Sequence, residues 1–404
     1  MFVANKDFTR SVNRYNILNS IRVAGQISRV ELAAITGQSK ALVTNITARL
    51  IKEGLIYEKE AAHSTLRGRK RTMLALKPDA VYAVGVKIAD SQISFSLINM
   101  LAEIRHSLTI PVRTNTRSLD FISDLIEEGV RHCLKQGRLG PSEVAGIGIG
   151  VPGFVDMENR QCLWNPFYGR EPFALHDHLQ KALNLPVYLE NDANAVTLAE
   201  LWYGEGRNVN NFIVVTVEQG IGLGVVINGE LYRGSNGFAG EFGHATVCPG
   251  GRQCRCGKKG CLEAYASETA IIETARKAGL EGRWQCDDPA QMALPDIRHL
   301  VLEDNPVVID IFSQAGKMLG YGISGLIQIF NPSKVIICGE GVRCGSRLFD
   351  PMRQAVADTT NEEMLKNSEI VVQKWTDTDW ARGAACLVLQ EVFKSRVQFA
   401  GEQG

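Results

Sequence analysis

The sequence has no run of about 18 apolar residues, which excludes a membrane-spanning helix by hydropathy. Its opening stretch, MFVANKDFTRSVNRYN, lacks the apolar core of a secretory signal, so the expected location is the cytoplasm, with no membrane insertion. Without a secretory context, the ten cysteines read as thiols and metal ligands rather than disulfides. Net charge is lacking too, since 44 Lys and Arg balance 44 Asp and Glu. What remains is an ordinary globular composition, 45% hydrophobic and 22% charged, in 404 residues that allow two or three domains.

The zero net charge hides an asymmetry. Residues 1–80 carry 14 basic and 6 acidic side chains, a net of +8, and the remainder carries 30 and 38, a net of −8. A basic module for a polyanion is therefore joined to an acidic body with another task.

Three short helical patterns fill the basic module. Ile17, Leu18 and Ile21 form one apolar stripe. Ser28 with Glu31 makes a capping box for a second helix, whose inner face is assigned to Leu32 and Ile35. Gly37 ends that helix and Ser39 caps a third, where Val43, Ile46 and Leu50 face inward. Its opposite face carries Ala41, Thr44, Asn45, Ala48, Arg49 and Lys52. Small residues near the helix start allow close approach to base edges, Thr and Asn can read them, and Arg and Lys neutralise phosphates. The following EGLIYEKEAAHSTLRGRKRTMLALK reads as two strands around a basic loop, with Arg67, Arg69, Lys70 and Arg71 against the DNA backbone or in a minor groove. The whole is a winged helix-turn-helix. The DNA-contact candidates are Ser39, Lys40, Ala41, Thr44, Asn45, Arg49, Arg67 and Arg69.

From Val81 onward strands and helices alternate, which predicts an α/β body with its functional groups at the carboxyl ends of strands. VYLENDANAVTLAELWYG is a strand running into a helix, with Asn191 and Asp192 at the junction. GHATVCPGGRQCRCGKKGCLE, residues 243–263, gathers one histidine and four cysteines among glycines and cations.

Four stretches, GIGIGVPGFVD, ENDANAVTLAE, GEFGHATVCPGGRQCRCGKKGCLE and ARGAACLVL, together resemble the ROK family of repressors, open reading frames and kinases. With the winged helix in front, the resemblance is to the repressor branch and covers nearly the whole chain. It implies an α/β fold: an N-terminal winged helix-turn-helix followed by a two-lobed actin-like (sugar kinase/RNase H-like) body with a structural zinc loop. The domains expected are the DNA-binding module at 1–80 and a first lobe at 81–194, completed by a C-terminal helix at about 383–396. A second lobe at 195–382 would carry the zinc loop and the oligomerisation surface, with a sugar cleft between the lobes. A homodimer or homotetramer is implied as well.

The spacing His244-x9-Cys254-x-Cys256-x4-Cys261 is a Cys3His set that suits tetrahedral Zn2+. Four protein ligands leave no open position, so one structural zinc per chain is expected. Cys248 is a rival ligand by proximity but lies outside the family pattern. The resemblance further implies that Asn165, Asn191, Asp192, Glu241, His244 and Glu263 contact sugar hydroxyls. Carboxylates with amides suit a polyol, because each hydroxyl can both donate and accept.

Asp192 matches the general base of the family's kinases, which keeps an enzyme reading open: a ROK-type kinase for a hexose or N-acetylhexosamine. Phosphoryl transfer also needs a glycine-built phosphate cradle. The family's first phosphate loop, Asp-x-Gly-Gly-Thr, reads Lys87, Ile88, Ala89, Asp90 and Ser91 here, and its second, Gly-Thr-Gly, reads Glu218, Gln219 and Gly220. Sugar-side groups are kept and nucleotide-side groups are lost. The expectation is a non-enzymatic, sugar-responsive repressor of carbohydrate uptake or catabolism genes. Its partners would be double-stranded operator DNA and a small sugar or sugar phosphate, with a regulatory protein as the other candidate signal.

Overall fold

The computed structural model describes residues 6–60, 72–156, 161–165, 175–284, 288–374 and 376–394. They divide into two compact units, Met1–Tyr203 with Asp377–Gly404, and Gly204–Thr376.

The first unit begins with three helices, α1 (Lys6–Ala24), α2 (Arg29–Thr36) and α3 (Lys40–Lys52). A small sheet joins β1 (Ile27–Ser28), β3 (Thr72–Leu76) and β2 (Ile56–Glu60) in that order. The Ser28 hydroxyl accepts from the Glu31 N–H while the Glu31 carboxylate accepts from the Ser28 N–H, so the capping box forms as read. Gly37 ends α2 at φ 67, a left-handed conformation that glycine adopts without cost. Ile17, Leu18, Ile21, Leu32, Val43 and Leu50 are all fully buried. At about 1.5–3 kcal/mol per buried aliphatic side chain, this core is what holds three short helices together.

Two inward assignments are corrected. Ile35 is 67% exposed, because α2 is only two turns long and ends before its last turn can reach the other helices. In α3 the fully buried residue beside Leu50 is Thr47, whereas Ile46 is half-buried. Arg29 explains the buried hydroxyl: its Nε donates to Thr47 Oγ1 at 3.0 Å and its guanidinium pairs with Glu58 at 2.8 Å, tying α2, α3 and β2 together.

The rest of this unit is a five-stranded sheet with helices on it. Strands β4 (Tyr82–Ile88), β5 (Gln92–Asn99) and β6 (Ile104–Pro111) form an antiparallel meander. Helix α4 (Leu119–Gly137) leads to β7 (Val144–Val151), parallel to β4, and a short hairpin β8 (Phe154–Asp156) and β9 (Gln161–Trp164) follows. Helix α5 (Leu175–Leu183) then returns the chain to β10 (Val187–Asn191), parallel to β7, and α6 (Asp192–Tyr203) continues directly from it. The sheet order is β10-β7-β4-β5-β6.

The second unit repeats that plan. Strands β11 (Phe212–Val217), β12 (Ile221–Ile227) and β13 (Glu230–Tyr232) form the meander. Short helix α7 (Glu263–Ala266), α8 (Glu268–Leu280), α9 (Leu294–Leu302) and the 25-residue α10 (Pro306–Phe330) precede β14 (Lys334–Cys338), which is parallel to β11. Helices α11 (Ser346–Thr359) and α12 (Glu362–Leu365) lead to β15 (Glu369–Val372), parallel to β14, giving the order β13-β12-β11-β14-β15. Among the described residues no helix is long and apolar enough to cross a membrane.

Finally α13 (Asp377–Lys394) returns to the first unit. Its backbone lies against the sheet with no side-chain layer between. A Cβ added at Gly85 would stand 1.7 Å from the Ala381 carbonyl oxygen, and one at Gly148 would stand 1.9 Å from that of Ala384. Only glycine fits at either place.

Candidate DNA interface, metal centre and ligand site

On α3, Lys40, Ala41, Thr44, Asn45, Ala48, Arg49 and Lys52 line one continuous open depression. All seven are exposed, because the 3.6-residue period turns them away from Val43, Thr47 and Leu50. Ser39 is exposed as well, and its hydroxyl accepts from the Leu42 N–H as the helix cap. Arg67 and Arg69, with Lys70 and Arg71, lie outside the described residues, although the strands on either side, β2 and β3, pair as expected for a wing.

This module is anchored to α6 and α13 of its own unit. Arg14 of α1 pairs with Glu53, just past α3, at 2.6 Å. Arg22 of the same helix stacks on Trp202, 4.6 Å from the ring centre, and donates to the Trp202 carbonyl. Trp202 in turn packs on Phe393 at 4.9 Å between ring centres. These contacts join residues far apart in sequence, and nothing local in the sequence signals them.

The Cys3His loop folds as its spacing suggests. The potential ligand atoms of His244, Cys254, Cys256 and Cys261 all lie within 4.8 Å of one another. His244 Nδ1 is 3.7 Å from Cys254 Sγ, and Cys256 Sγ is 3.7 Å from Cys261 Sγ. Two sulfurs each 2.3 Å from a tetrahedral ion stand about 3.8 Å apart, so the spacing is compatible with zinc. Gly260, at φ 82, would put a Cβ 1.9 Å from the Cys248 carbonyl oxygen, so the loop closes only around glycine there. Cys248 is not in the cluster; its thiol and the Tyr265 hydroxyl hydrogen-bond. Burial pushes the Cys254 thiol up to about 12 and raises that of Cys261, so a bound cation is what would hold them as thiolates.

The same loop collects carboxylates within the second unit. Glu241 faces His244 Nε2 at 4.0 Å, leaving the ring's two nitrogens to different neighbours. Glu263 opens α7 beside the last cysteine; its Oε2 accepts from the Ile221 N–H at 3.3 Å and its Oε1 lies 3.9 Å from Cys254 Sγ. Gly220 makes this fit, since a Cβ there would stand 2.6 Å from Glu263 Oε2.

In the first unit, Asn165 and Asn191 converge on one turn. The Asn165 amide donates to the Pro152 carbonyl at 3.0 Å and the Asn191 amide to that of Gly153 at 3.1 Å, where Gly153 has φ 109. Asp192 starts α6 and its carboxylate accepts from the Ala193 N–H at 2.9 Å. Burial, the leading cause, raises the Asp192 carboxyl above the ordinary carboxylate range, while Lys87 and backbone N–H groups pull it down. The six predicted sugar residues thus form two groups, Asn165, Asn191 and Asp192 in one unit and Glu241, His244 and Glu263 in the other.

An exposed, cation-bearing recognition face, a sheet plan built twice and a Cys3His loop define a DNA-binding regulator on a sugar-kinase-type body. The chain belongs to the ROK family, whose profile matches residues 83–391, and a winged helix-turn-helix DNA-binding profile matches residues 10–57. It is 30% identical to the xylose repressor of Caldicellulosiruptor bescii, over 96% of this chain and 98% of that protein. It is 33% identical to a glucokinase of Halalkalibacterium halodurans, over 67% of this chain and 84% of the enzyme. The crystal structure of a ROK-family transcriptional regulator, a homologue of the Escherichia coli MLC protein, superimposes with a TM-score of 0.82 at 26% identity, covering 96% of this chain and 97% of that one.

Proposed function

We propose that this protein is a sugar-responsive transcriptional repressor of carbohydrate genes. The observation that carries the reading is the exposed α3 face, with Asn45 and Thr44 flanked by Lys40, Arg49 and Lys52, on the same chain as a body that retains polyol-suited side chains. Asn45 and Thr44 read base edges in the major groove, Arg49 and the wing arginines Arg67 and Arg69 hold phosphates, and two winged helices in a homo-oligomer read two half-sites. Asn165, Asn191, Asp192, Glu241, His244 and Glu263 bind the hydroxyls of a sugar such as the pentose in the name of the C. bescii relative. One structural zinc per chain, held by His244, Cys254, Cys256 and Cys261, fixes the loop that carries Glu241 and Glu263. Ligand lowers operator affinity by as much as it prefers the conformation that misfits the operator. The protein works in the cytoplasm.

The Asp192 carboxyl, raised by burial at the start of α6, favours a second reading as a sugar kinase. Lys87, Ala89 and Asp90 at one strand end, and Glu218 and Gln219 at another, oppose it, because a carboxylate beside a triphosphate costs on the order of several kcal/mol when partly desolvated. The test is selection of an operator from a random DNA library, then titration with and without D-xylose, D-glucose, N-acetylglucosamine and their phosphates. At least one should shift operator affinity severalfold. Retention of the operator affinity after deletion of residues 1–80 would overturn the reading.

A further inference from the structure

Of the three sulfurs in the Cys3His cluster, one lies on the outside. Residues 252–260 turn back on themselves as a small hairpin. The Gly260 N–H donates to the Arg252 carbonyl at 2.8 Å, the Cys254 N–H to that of Lys258 at 2.8 Å, and the Gly257 N–H to that of Cys254 at 3.0 Å. Cys256 therefore stands at the tip, and of the nine cysteines among the described residues it is the exposed one. Cys248 is half-buried, and the other seven, Cys254 and Cys261 included, are buried.

A second thiol stands within reach of the first. Cys256 Sγ lies 3.7 Å from Cys261 Sγ, and a disulfide bond measures about 2.0 Å. The segment between them, Gly257, Lys258, Lys259 and Gly260, begins and ends with glycine at φ 87 and φ 82, so the chain can follow as the sulfurs close. Cys254 is the poorer partner. A single residue separates it from Cys256, too short a span for an unstrained bridge, and its sulfur faces His244 Nδ1 at 3.7 Å and Glu263 Oε1 at 3.9 Å. Arg255, Lys258 and Lys259, all exposed, put positive charge around the tip. An accessible metal-ligating sulfur with a cationic rim and a neighbouring thiol is the setting in which peroxides oxidise cysteine.

We infer that Cys256 is an oxidation site, at which hydrogen peroxide converts the Cys256–Cys261 pair to a disulfide and so frees the metal of the loop. This rests on the reading of the cluster as a zinc site. The Cys256 thiolate attacks one peroxide oxygen and the O–O bond breaks. That oxygen stays on the sulfur as a sulfenic acid, and the other leaves as hydroxide, stabilised by the cationic rim. The Cys261 thiolate then attacks the Cys256 sulfur, the S–S bond forms and a second hydroxide leaves. Two thiolates give up two electrons and the peroxide takes them. His244 and Cys254 alone are no closed tetrahedral site, so the loop that carries Glu241 and Glu263 loses the metal that shapes it.

The test treats full-length protein, purified with its zinc, with a small excess of hydrogen peroxide. A metallochromic indicator follows the metal, and alkylation with peptide mapping follows the thiols. One zinc should leave for each Cys256–Cys261 disulfide formed, with Cys133, Cys344 and Cys386 still reduced, and dithiothreitol with added zinc should restore the starting protein. Cys256→His keeps four ligands and removes the exposed sulfur, so it should hold zinc and release it about tenfold more slowly. Cys248→Ser should change neither readout. Release from Cys256→His at the wild-type rate, or zinc lost from wild type without a Cys256–Cys261 disulfide, would sink the inference. If Cys256→His takes up no zinc, the disulfide map of wild type decides alone. If wild type itself holds no zinc but peroxide still joins Cys256 to Cys261, the oxidation site stands and the zinc reading falls.

Discussion

His244 presents one ring nitrogen to a thiol and the other to a carboxylate: Nδ1 lies 3.7 Å from the Cys254 sulfur, and Nε2 faces Glu241 at 4.0 Å. The imidazole therefore links the metal cluster to a residue of the proposed ligand site. Loss of the metal should be felt by both stability and sugar binding.

Elemental analysis of protein purified without chelator should find one zinc per chain. Cys256→Ser should abolish it and lower the thermal midpoint by about 5–10 °C, since a structural site contributes its binding energy to folding. Thiol labelling gives an independent check. Burial pushes Cys133, Cys344 and Cys386 up to about 12, so at neutral pH they stay protonated and unreactive in the folded protein. Chelation should release further reactive thiols, the exposed Cys256 at once and the buried Cys254 and Cys261 as the loop that the metal held loses its structure. An identical count with and without chelator would contradict the metal assignment.

Arg49→Ala should weaken operator binding on every sequence and reduce the salt slope by about one, as expected for the loss of one phosphate contact. Arg69→Ala should act the same way. Asn45→Ala should instead relax sequence preference, at about 1–3 kcal/mol on the preferred site. Fluorescence anisotropy over a salt series separates the two, and a uniform effect of Asn45→Ala across sequences would remove its base-reading role.

With ATP, Mg2+ and the best-binding sugar, a coupled ADP-release assay should show no turnover above background. Asp192→Asn should weaken sugar binding by about 1–3 kcal/mol, the loss of a charge-assisted hydrogen bond, and leave operator binding without sugar unchanged. Asp192-dependent turnover would make the chain a DNA-binding sugar kinase.

Gly148→Ala should cost about 2–4 kcal/mol or prevent folding, because its methyl would meet the Ala384 carbonyl oxygen and drive α13 off the sheet. Gly150→Ala, whose nearest neighbours would lie at 3.6 Å or more, should be tolerated. Urea midpoints of the two variants decide it, and equal destabilisation would refute the close-packing argument.

What could be read from the sequence was local. Ser28 with Glu31, the Asn191–Asp192 junction and the His-x9-Cys-x-Cys-x4-Cys spacing each bring their atoms together within a turn or a loop, so spacing carries the geometry. Ile35 misleads because periodicity assumes a helix long enough to present a full face. Thr47 misleads because its hydroxyl is satisfied from another helix, by Arg29. Lys87 on Trp380 and Arg22 on Trp202 join positions 293 and 180 residues apart, separations at which no periodicity speaks.

Helix α6 has Asp192 as its first residue and Trp202, whose carbonyl receives Arg22 of the DNA-reading module, as its last but one. Ten residues separate them, about 15 Å of rise. Every residue from Ala193 to Trp202 is buried, so the helix has no free side on which to bend or fray. It is a ruler with a graduation at each end, one at the proposed ligand site and the other at the DNA-binding module. A tilt imposed at Asp192 moves Trp202 by the same angle, and a docked DNA module that resists that movement resists the ligand in equal measure.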